Sequence, residues 1–209
     1  MLVTTGAQVY SFDYSSAVDA NYANNGQNEN LCLFQGDIFN IPLREASFDK
    51  VLCLGVIQHT PDPQAAFASL ARQVRPGGEL VIDVYAKRLL SLLHWKYVLR
   101  PLTRRMGKER LYRIICKAVP LLLPIAAGLR RTIGPAGARL MPILEYSNLK
   151  LPPELNEEWA ILDTFDMYSP AHDHPQSLAT VRHWFKSAGF SGMEVRYGQN
   201  GVVGRGTKS

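Results

Sequence analysis

The sequence is poor in cysteine and contains no uninterrupted apolar run long enough to cross a bilayer. Its three cysteines, Cys32, Cys53 and Cys116, are odd in number, and two of them lie within apolar runs. This favours reduced thiols in the core of a cytoplasmic protein over a disulfide framework. The most apolar window, residues 118–129, is too short to span a bilayer and contains two prolines. Met1 is not followed by the pattern of a signal peptide, so we expect a cytoplasmic location.

Acidic residues are scarce in one long segment. Between residues 86 and 146, 13 lysines and arginines stand against two acids, a local net charge of +11, whereas the rest of the chain has 10 basic and 16 acidic residues. This asymmetry indicates an anionic neighbour, although a solvated basic face on ordinary helices explains it as well. The segment is leucine-rich and lacks aromatic residues interleaved for base stacking, which does not favour nucleic acid.

Alternating strand-like and helix-like patterns occupy residues 8–85. Apolar runs typical of strands lie at 8–12, 31–34, 50–57 and 79–85. A helix follows the cap residue Asp62, with Pro63 at its first position, and Pro76-Gly77-Gly78 ends it. Strands joined by short helical connections predict an α/β fold with a doubly wound, mostly parallel, Rossmann-like sheet.

The pattern changes between residues 86 and 151, where basic, leucine-rich helices predominate. We expect these helices to break at Pro101, Pro120, Pro124, Gly134-Pro135 and Pro142. We interpret the segment as a helical insertion or lid. A helix at 177–188 and an antiparallel hairpin around Asn200-Gly201 then resume the α/β pattern. The predicted organisation is a partial α/β core at 1–85, the insertion at 86–151 and the C-terminal part of the core at 152–209.

The predicted strand ends carry the residues of greatest interest, because ligands of open α/β sheets bind beyond the carboxyl ends of the strands. An acid at the position of Asp13 can accept the hydroxyl groups of a ribose, and Asp37 could accept the amine of adenine. Gly55 would let a ligand approach the backbone closely. Taken singly, either acid is better explained as a helix or turn cap.

Three segments carry a resemblance to a known family: VYSFDYS, QGDIFNIPLREASFDKVLCLGVIQHTPDP and LARQVRPGGELVIDVY. In this order they resemble the class I S-adenosylmethionine-dependent methyltransferases of type 11, the group that includes quinone-biosynthesis methyltransferases. The resemblance covers residues 6–85 closely and the C-terminal hairpin loosely. It implies methyl transfer with S-adenosylmethionine as the cofactor.

The resemblance also assigns roles to individual positions. It implies that Asp13 binds the ribose hydroxyls of the cofactor and Asp37 its adenine amine, with Ile38 in backbone contact. It implies that Leu54 and Gly55 lie beside the methionine part of the cofactor.

Three further side chains are candidates for catalysis. The resemblance places His59 on the substrate side, and residues 163–175 resemble the family's substrate-lining loop, within which Tyr168 and His172 could position an acceptor or accept its proton. Each is equally well explained as a hydrogen-bonding residue of a turn or helix entry. The run AHDHP has no recognised zinc spacing, so no metal is expected.

One element of the family pattern is missing from the sequence. The family's first strand and its glycine-rich turn should precede Gln8, where only MLVTTGA stands. In the family this strand lies between the strands that end at Asp13 and Gly55, so its absence would leave two strand edges unpaired. We favour a truncated form of a longer enzyme. The alternatives are that the flanking strands pair with each other or that another chain supplies the strand.

Together these features favour methyl transfer to a small acceptor. The apolar residues of the insertion predict an apolar or lipid-linked acceptor, and its basic residues predict peripheral contact with an anionic membrane. The alternative is a non-catalytic methyltransferase-like module that binds a partner or a membrane through the basic segment. A nicotinamide dehydrogenase is not favoured, because the motif QHTPDP has no place in one. The oligomeric state stays open.

Overall fold

The chain forms two compact units. The computed structural model describes residues 2–87, 95–199 and 201–209. One unit consists of residues 1–86 and 174–209, and the other of residues 87–173. We call the first the α/β unit and the second the helical unit, and describe each by itself.

The N-terminal part of the α/β unit alternates strands and helices. In chain order these are β1 Val9–Asp13, α1 Ala17–Asn25, β2 Leu31–Gln35, β3 Phe48–Leu54, α2 Pro63–Gln73 and β4 Val74–Tyr85. The Asp62 side chain accepts a hydrogen bond from the Ala65 N–H over 3.0 Å, and Pro63 occupies the first helical position, as predicted. The predicted strands are therefore confirmed, with shifts at their ends.

The helical unit contains α3 Trp95–Thr103, α4 Lys108–Ile133, α5 Pro135–Ala138 and α6 Pro153–Tyr168. Its buried apolar cluster combines residues of α4 and α6 with Ile143 from the segment before α6: Leu111, Ile115, Val119, Ala126, Ile143, Ala160 and Tyr168. The helical unit therefore includes α6 and extends to residue 173, beyond the boundary expected at 151.

The chain returns to the α/β unit with α7 Leu178–Ser187, β5 Phe190–Tyr197 and β6 Gly201–Lys208. β3 and β4 pair in parallel, β6 pairs antiparallel with β4, and β5 pairs antiparallel with β6. The strand order β3-β4-β6-β5 includes the predicted C-terminal hairpin.

β1 and β2 form a separate, parallel, two-stranded sheet. In the described part of the chain, β1 pairs only with β2 and β3 only with β4, so each has one edge without a ladder partner. The rings of Tyr10 on β1 and Phe48 on β3 meet edge to face at 5.4 Å. The parallel strands thus fall into two sheets that side-chain packing connects.

Four aromatic rings form the centre of the α/β core. Phe67 of α2 lies 5.0 Å from Phe185 and 5.5 Å from Trp184, both on α7, and Phe185 lies 5.3 Å from Phe190. β6 passes close to these rings because it carries Gly204, where an added Cβ would lie 2.7 Å from Phe185 Cε2. The packing of α7 on the sheet therefore requires glycine at this position.

The cysteines occupy three different environments. Cys53 is buried in β3, and burial raises the pKa of its thiol to about 12, so it stays protonated. Cys116 is half-buried in α4, and Cys32 is exposed on β2. The expectation of core thiols holds for Cys53 and is wrong for Cys32.

The helix breaks expected at three prolines are wrong. Pro101 lies inside α3, and α4 continues through both Pro120 and Pro124. Each proline lacks the N–H that would donate to the carbonyl four residues earlier, so the helix loses a hydrogen bond at each position. The buried face of α4 offsets this loss, because helices in proteins are stabilised mainly by packing of an apolar face.

Replacing the exposed Pro124 by alanine should raise the free energy of unfolding by about 2 kcal/mol, because proline in a helix interior costs about 3 kcal/mol relative to alanine and local bending relieves part of that cost. Chemical denaturation followed by circular dichroism measures the change. Pro135→Ala is the matched control. It lies at the first position of α5, where proline is favourable, and should give no gain. Equal gains at both positions would contradict the assigned helix penalty.

Candidate functional site

β1 and β2 end side by side. The Gly36 N–H donates to the Asp13 carbonyl over 3.0 Å, and Gln35 Nε2 donates to the Tyr14 carbonyl over 2.8 Å. These bonds, with the parallel register of the strands, bring Asp13 and the turn at Asp37 to the same strand end.

Asp13 is an exposed carboxylate just before α1. Its Oδ1 atom accepts hydrogen bonds from the Ser15 N–H over 2.8 Å and from the Ser15 hydroxyl over 2.6 Å. In the described part of the chain, both donors use Oδ1, which leaves Oδ2 able to accept from a ligand. The turn role and the ligand role of Asp13 are therefore compatible.

Asp37 closes a tight turn after β2. Its Oδ1 atom accepts from the Phe39 N–H over 2.9 Å, and its backbone bridges to Asn40. Ile38 and Phe39 are half-buried and pack on the α/β core. The turn after β2 is thus fixed to the α/β core, with the Asp37 carboxylate partly accessible.

Gly55 forms an open turn directly after β3. Its φ of +71° lies in the left-handed region, and a Cβ added there would meet no atom within 4 Å. Its N–H donates to the Asp83 carbonyl over 2.9 Å. The neighbouring Leu54 side chain is 58% exposed. A ligand can therefore approach the backbone here without a side chain in its way.

Gln58 is fully buried behind this turn. Its side-chain Nε2 donates to the Gly55 carbonyl over 2.7 Å, and its backbone carbonyl accepts from the His174 N–H over 2.8 Å. Its Oε1 atom has no donor among the described residues. Because buried acceptors are rarely left unpaired, this amide oxygen is a feature to be explained.

His59 lies one turn beyond the Gly55 turn. Its half-buried ring meets the Tyr85 ring edge to face at 5.3 Å. Tyr85 is the last residue of β4, and its carbonyl accepts from the Gln176 N–H over 2.7 Å. The structure therefore groups Leu54, Gly55 and His59 at the ends of β3 and β4, and separately groups Asp13 with Asp37.

Tyr168 belongs to the core of the helical unit. It is 3% exposed, its hydroxyl donates to the Pro142 carbonyl over 2.9 Å, and its carbonyl accepts from the Thr103 hydroxyl over 3.1 Å. Burial raises the pKa of the phenol, which keeps it neutral. These contacts suit a structural hydrogen-bond donor, and its catalytic role stays a prediction.

His172 is exposed in a segment that a buried charge cluster holds. The Asp173 carboxylate pairs with Lys96 Nζ at 2.8 Å and with Arg100 Nη1 at 2.7 Å, and Arg100 also donates to the His172 carbonyl over 3.3 Å. The backbone of His172 is thus fixed within the helical unit. Its proposed role toward an acceptor stays a prediction.

The α/β unit offers the chemistry that S-adenosylmethionine needs. Its ribose hydroxyls are donors, and the exposed carboxylate of Asp13 is an acceptor for such groups. The Oε1 atom of Gln58 is fully buried and out of reach of a ligand. The open turn at Gly55 admits close approach of a ligand. In the described ranges, no three His, Cys, Asp or Glu side chains converge as metal ligands.

Gln58 and Tyr85 received no role in the sequence analysis. Tyr85 ends one apolar strand and Gln58 lies just beyond another, so the rule that ligands bind at strand ends applied to them as readily as to His59. Gln58 is covered by the segment at His174, whose N–H bonds to the Gln58 backbone carbonyl. The local sequence around QHTPDP gives no sign of this distant segment.

Comparisons with known proteins identify the N-terminal part of the chain. Residues 1–82 match a family model described as a methyltransferase domain, of type 11. A ubiquinone biosynthesis O-methyltransferase from Alkalilimnicola ehrlichii is 34% identical over 64 residues, which are 29% of this chain and 26% of that protein. A tRNA U34 carboxymethyltransferase from Campylobacter curvus is 31% identical over 85 residues, which are 40% of this chain and 28% of that protein.

An O-methyltransferase family protein from Burkholderia thailandensis has a similar fold, with a TM-score of 0.51 and 10% identity, over 96% of this chain and 43% of that one. The chain spans between 15% and 34% of the curated relatives it matches first. The structural likeness shows the fold alone, and the sequence matches supply the family. The family match, which covers residues 1–82, indicates a class I S-adenosylmethionine-dependent methyltransferase domain of type 11 in this part of the chain.

Proposed function

We propose that the chain binds S-adenosylmethionine at the strand ends of the α/β unit and transfers its methyl group to a small acceptor. The Gly55 turn carries this proposal. Its φ is positive, its missing side chain leaves open space, and the buried Gln58 amide holds its carbonyl. The match of residues 1–82 to a methyltransferase family model supports the proposal.

S-adenosylmethionine supplies a methyl group on a sulfonium sulfur, a good leaving group whose displacement depends mainly on in-line positioning. The residues of the chain would then act by binding and orienting. In this proposal Asp13 accepts from the ribose hydroxyls, and Asp37 accepts from the adenine amine beside Ile38. Leu54 and Gly55 line the methionine part.

His59 is proposed to act on the acceptor. Its ring stands edge-on to Tyr85, close in sequence to the Gly55 turn. A neutral imidazole can take the proton of an O–H or N–H acceptor while the acceptor bonds to the methyl carbon and the C–S bond electrons stay on sulfur. Tyr168 and His172 are proposed to position the acceptor.

The proposed acceptor is apolar or lipid-linked. The relative from Alkalilimnicola ehrlichii is named for ubiquinone biosynthesis and O-methyl transfer, which supports an acceptor of this class. The helical unit exposes large aliphatic side chains next to basic ones, including Val98, Leu102 and Leu121. A surface of this composition suits peripheral contact with an anionic membrane where such an acceptor would be found.

A non-catalytic, methyltransferase-like binding module is the second candidate. The observation that favours it is the division into two sheets. The described part of the chain supplies no strand that pairs with both β1 and β3 and so joins the two sheets. Titration with S-adenosylhomocysteine by calorimetry separates the two functions. Saturable binding with a Kd in the micromolar range supports the methyltransferase, and absence of binding supports the module.

Asp13→Asn should weaken S-adenosylhomocysteine binding about ten-fold, because hydrogen bonds to a charged acceptor are worth about 1.5–3 kcal/mol. Asparagine keeps the Oδ1 acceptor for Ser15, so the turn before α1 survives. Asp19→Asn, an exposed acid of α1, is the control and should bind as the unchanged chain does. An unaltered Kd for Asp13→Asn would remove this residue from the site.

Gly55→Ala should reduce S-adenosylhomocysteine affinity by more than its cost in stability explains. The left-handed backbone alone costs about 1–2 kcal/mol with a Cβ present. Gly189→Ala is the matched control, since Gly189 has a φ of +76° and equally open surroundings at the end of α7. Both variants should lose similar stability in thermal unfolding. Equal affinity of the two variants would show that no ligand lies against Gly55.

A further inference from the structure

α4 carries large aliphatic side chains on its exposed side as well as on its buried side. Ile114, Leu121 and Ile125 are 45%, 73% and 51% exposed. At about 100° per residue these three lie within about 40° of one another around the helix axis. The buried row of Leu111, Ile115, Val119 and Ala126 lies on another side of the helix. Packing within the helical unit therefore leaves this aliphatic row uncovered.

A basic row runs beside the aliphatic row. Arg110, Arg113, Lys117 and Arg131 are exposed on the outward side of α4, within about 60° of one another. Among the described residues, none of these four forms an ion pair. Their positive charge is thus available to an anionic partner.

Three glutamates of α6 lie along a different side of α4 from the basic row, whereas Glu109, in the first turn of α4, lies beside it. Glu154, Glu157 and Glu158 of α6 line an open cleft of about 340 Å³ together with Tyr112. Tyr112 lies well over 90° from the centre of the basic row around α4, at about 100° per residue. The outward face therefore combines aliphatic and cationic groups, with one acid, Glu109, at its N-terminal end and the three glutamates of α6 on another side.

α4 is long and apolar enough, by length and composition, to cross a membrane. Two observations argue that it lies along a membrane instead. Its buried row already packs on α6. Its run without charged residues, 118–129, is about 18 Å long as a helix, well short of the roughly 30 Å hydrocarbon core.

We infer that the outward face of α4 docks on the surface of an anionic lipid bilayer. Ile114, Leu121 and Ile125 enter the boundary between headgroups and acyl chains, while the basic row contacts lipid phosphates. Aliphatic insertion with flanking cations is the physical pattern of interfacial helices. This docking does not require bound cofactor, so it can be tested apart from the proposed methyl transfer.

Vesicle flotation of the full chain tests the inference, with phosphatidylcholine alone and with about 30 mol% phosphatidylglycerol added. We expect binding to the anionic vesicles and little to the neutral ones, with a decrease at high salt. Arg113→Gln/Lys117→Gln should lower the partition coefficient about 25-fold, since each basic residue near the surface contributes about five-fold. Leu121→Ser should lower it about ten-fold.

Matched variants control for charge and for surface apolarity. Arg44→Gln/Lys186→Gln removes the same charge from exposed positions of the α/β unit, and Leu162→Ser removes an exposed leucine of α6. Both should bind vesicles as the unchanged chain does. Circular dichroism confirms that each variant is folded.

Three outcomes would overturn the inference. Equal binding to neutral and anionic vesicles would remove the charge complementarity, and equal losses for the control variants would remove the assignment to α4. Concentration-dependent self-association in sedimentation, abolished by Leu121→Ser without vesicle binding, would assign the face to a second copy of the chain.

Discussion

Two backbone hydrogen bonds near the carboxyl ends of β3 and β4 fix the place at which the chain re-enters the α/β unit after the insertion. The His174 N–H donates to Gln58, and the Gln176 N–H donates to Tyr85, the residue at which β4 ends. The chain leaves the α/β unit after Tyr85 at the end of β4. These two bonds bring it back beside the same strand end, and α7 begins two residues after Gln176. Because loop closure entropy grows slowly with length, an insertion between two such fixed points costs little more when it is long. The core can therefore accommodate a whole helical unit while the Gly55 turn stays in place.

The division into two sheets makes the proposed site uneven in stability. β4 has partners on both sides, whereas β1 and β2 have only each other, and an isolated two-stranded sheet is marginal in water. Stacking of Phe12 on Phe34 at 5.4 Å supports the smaller sheet. Asp13 and Asp37 stand on this weaker sheet, and Gly55 on the stronger one. A ligand that binds both groups would stabilise the weaker sheet most, because binding to the folded state adds directly to stability.

Local patterns in the sequence predicted the strands, the cap at Asp62 and the strand-end positions of Asp13, Asp37 and Gly55. The failures share a physical cause. Pro120 and Pro124 break an isolated helix, but packing with α6 holds α4 intact, and this packing is not visible in the local sequence. The burial of Gln58 likewise depends on His174, more than 100 residues away. The positions of residues at a single strand end were thus predictable, whereas burial that depends on a distant segment was not.

The prolines of α4 also bear on how deeply this helix can enter a bilayer. Pro120 and Pro124 remove the donors that would normally pair with the carbonyls of Cys116 and Pro120. In hydrocarbon an unpaired carbonyl costs several kcal/mol, whereas water or lipid headgroups satisfy it. In the proposed docking, the helix would therefore lie in the hydrated headgroup region, where its carbonyls keep polar partners while the aliphatic row contacts the acyl chains. The feature that weakens α4 as a transmembrane span is the one that fits it to the interface.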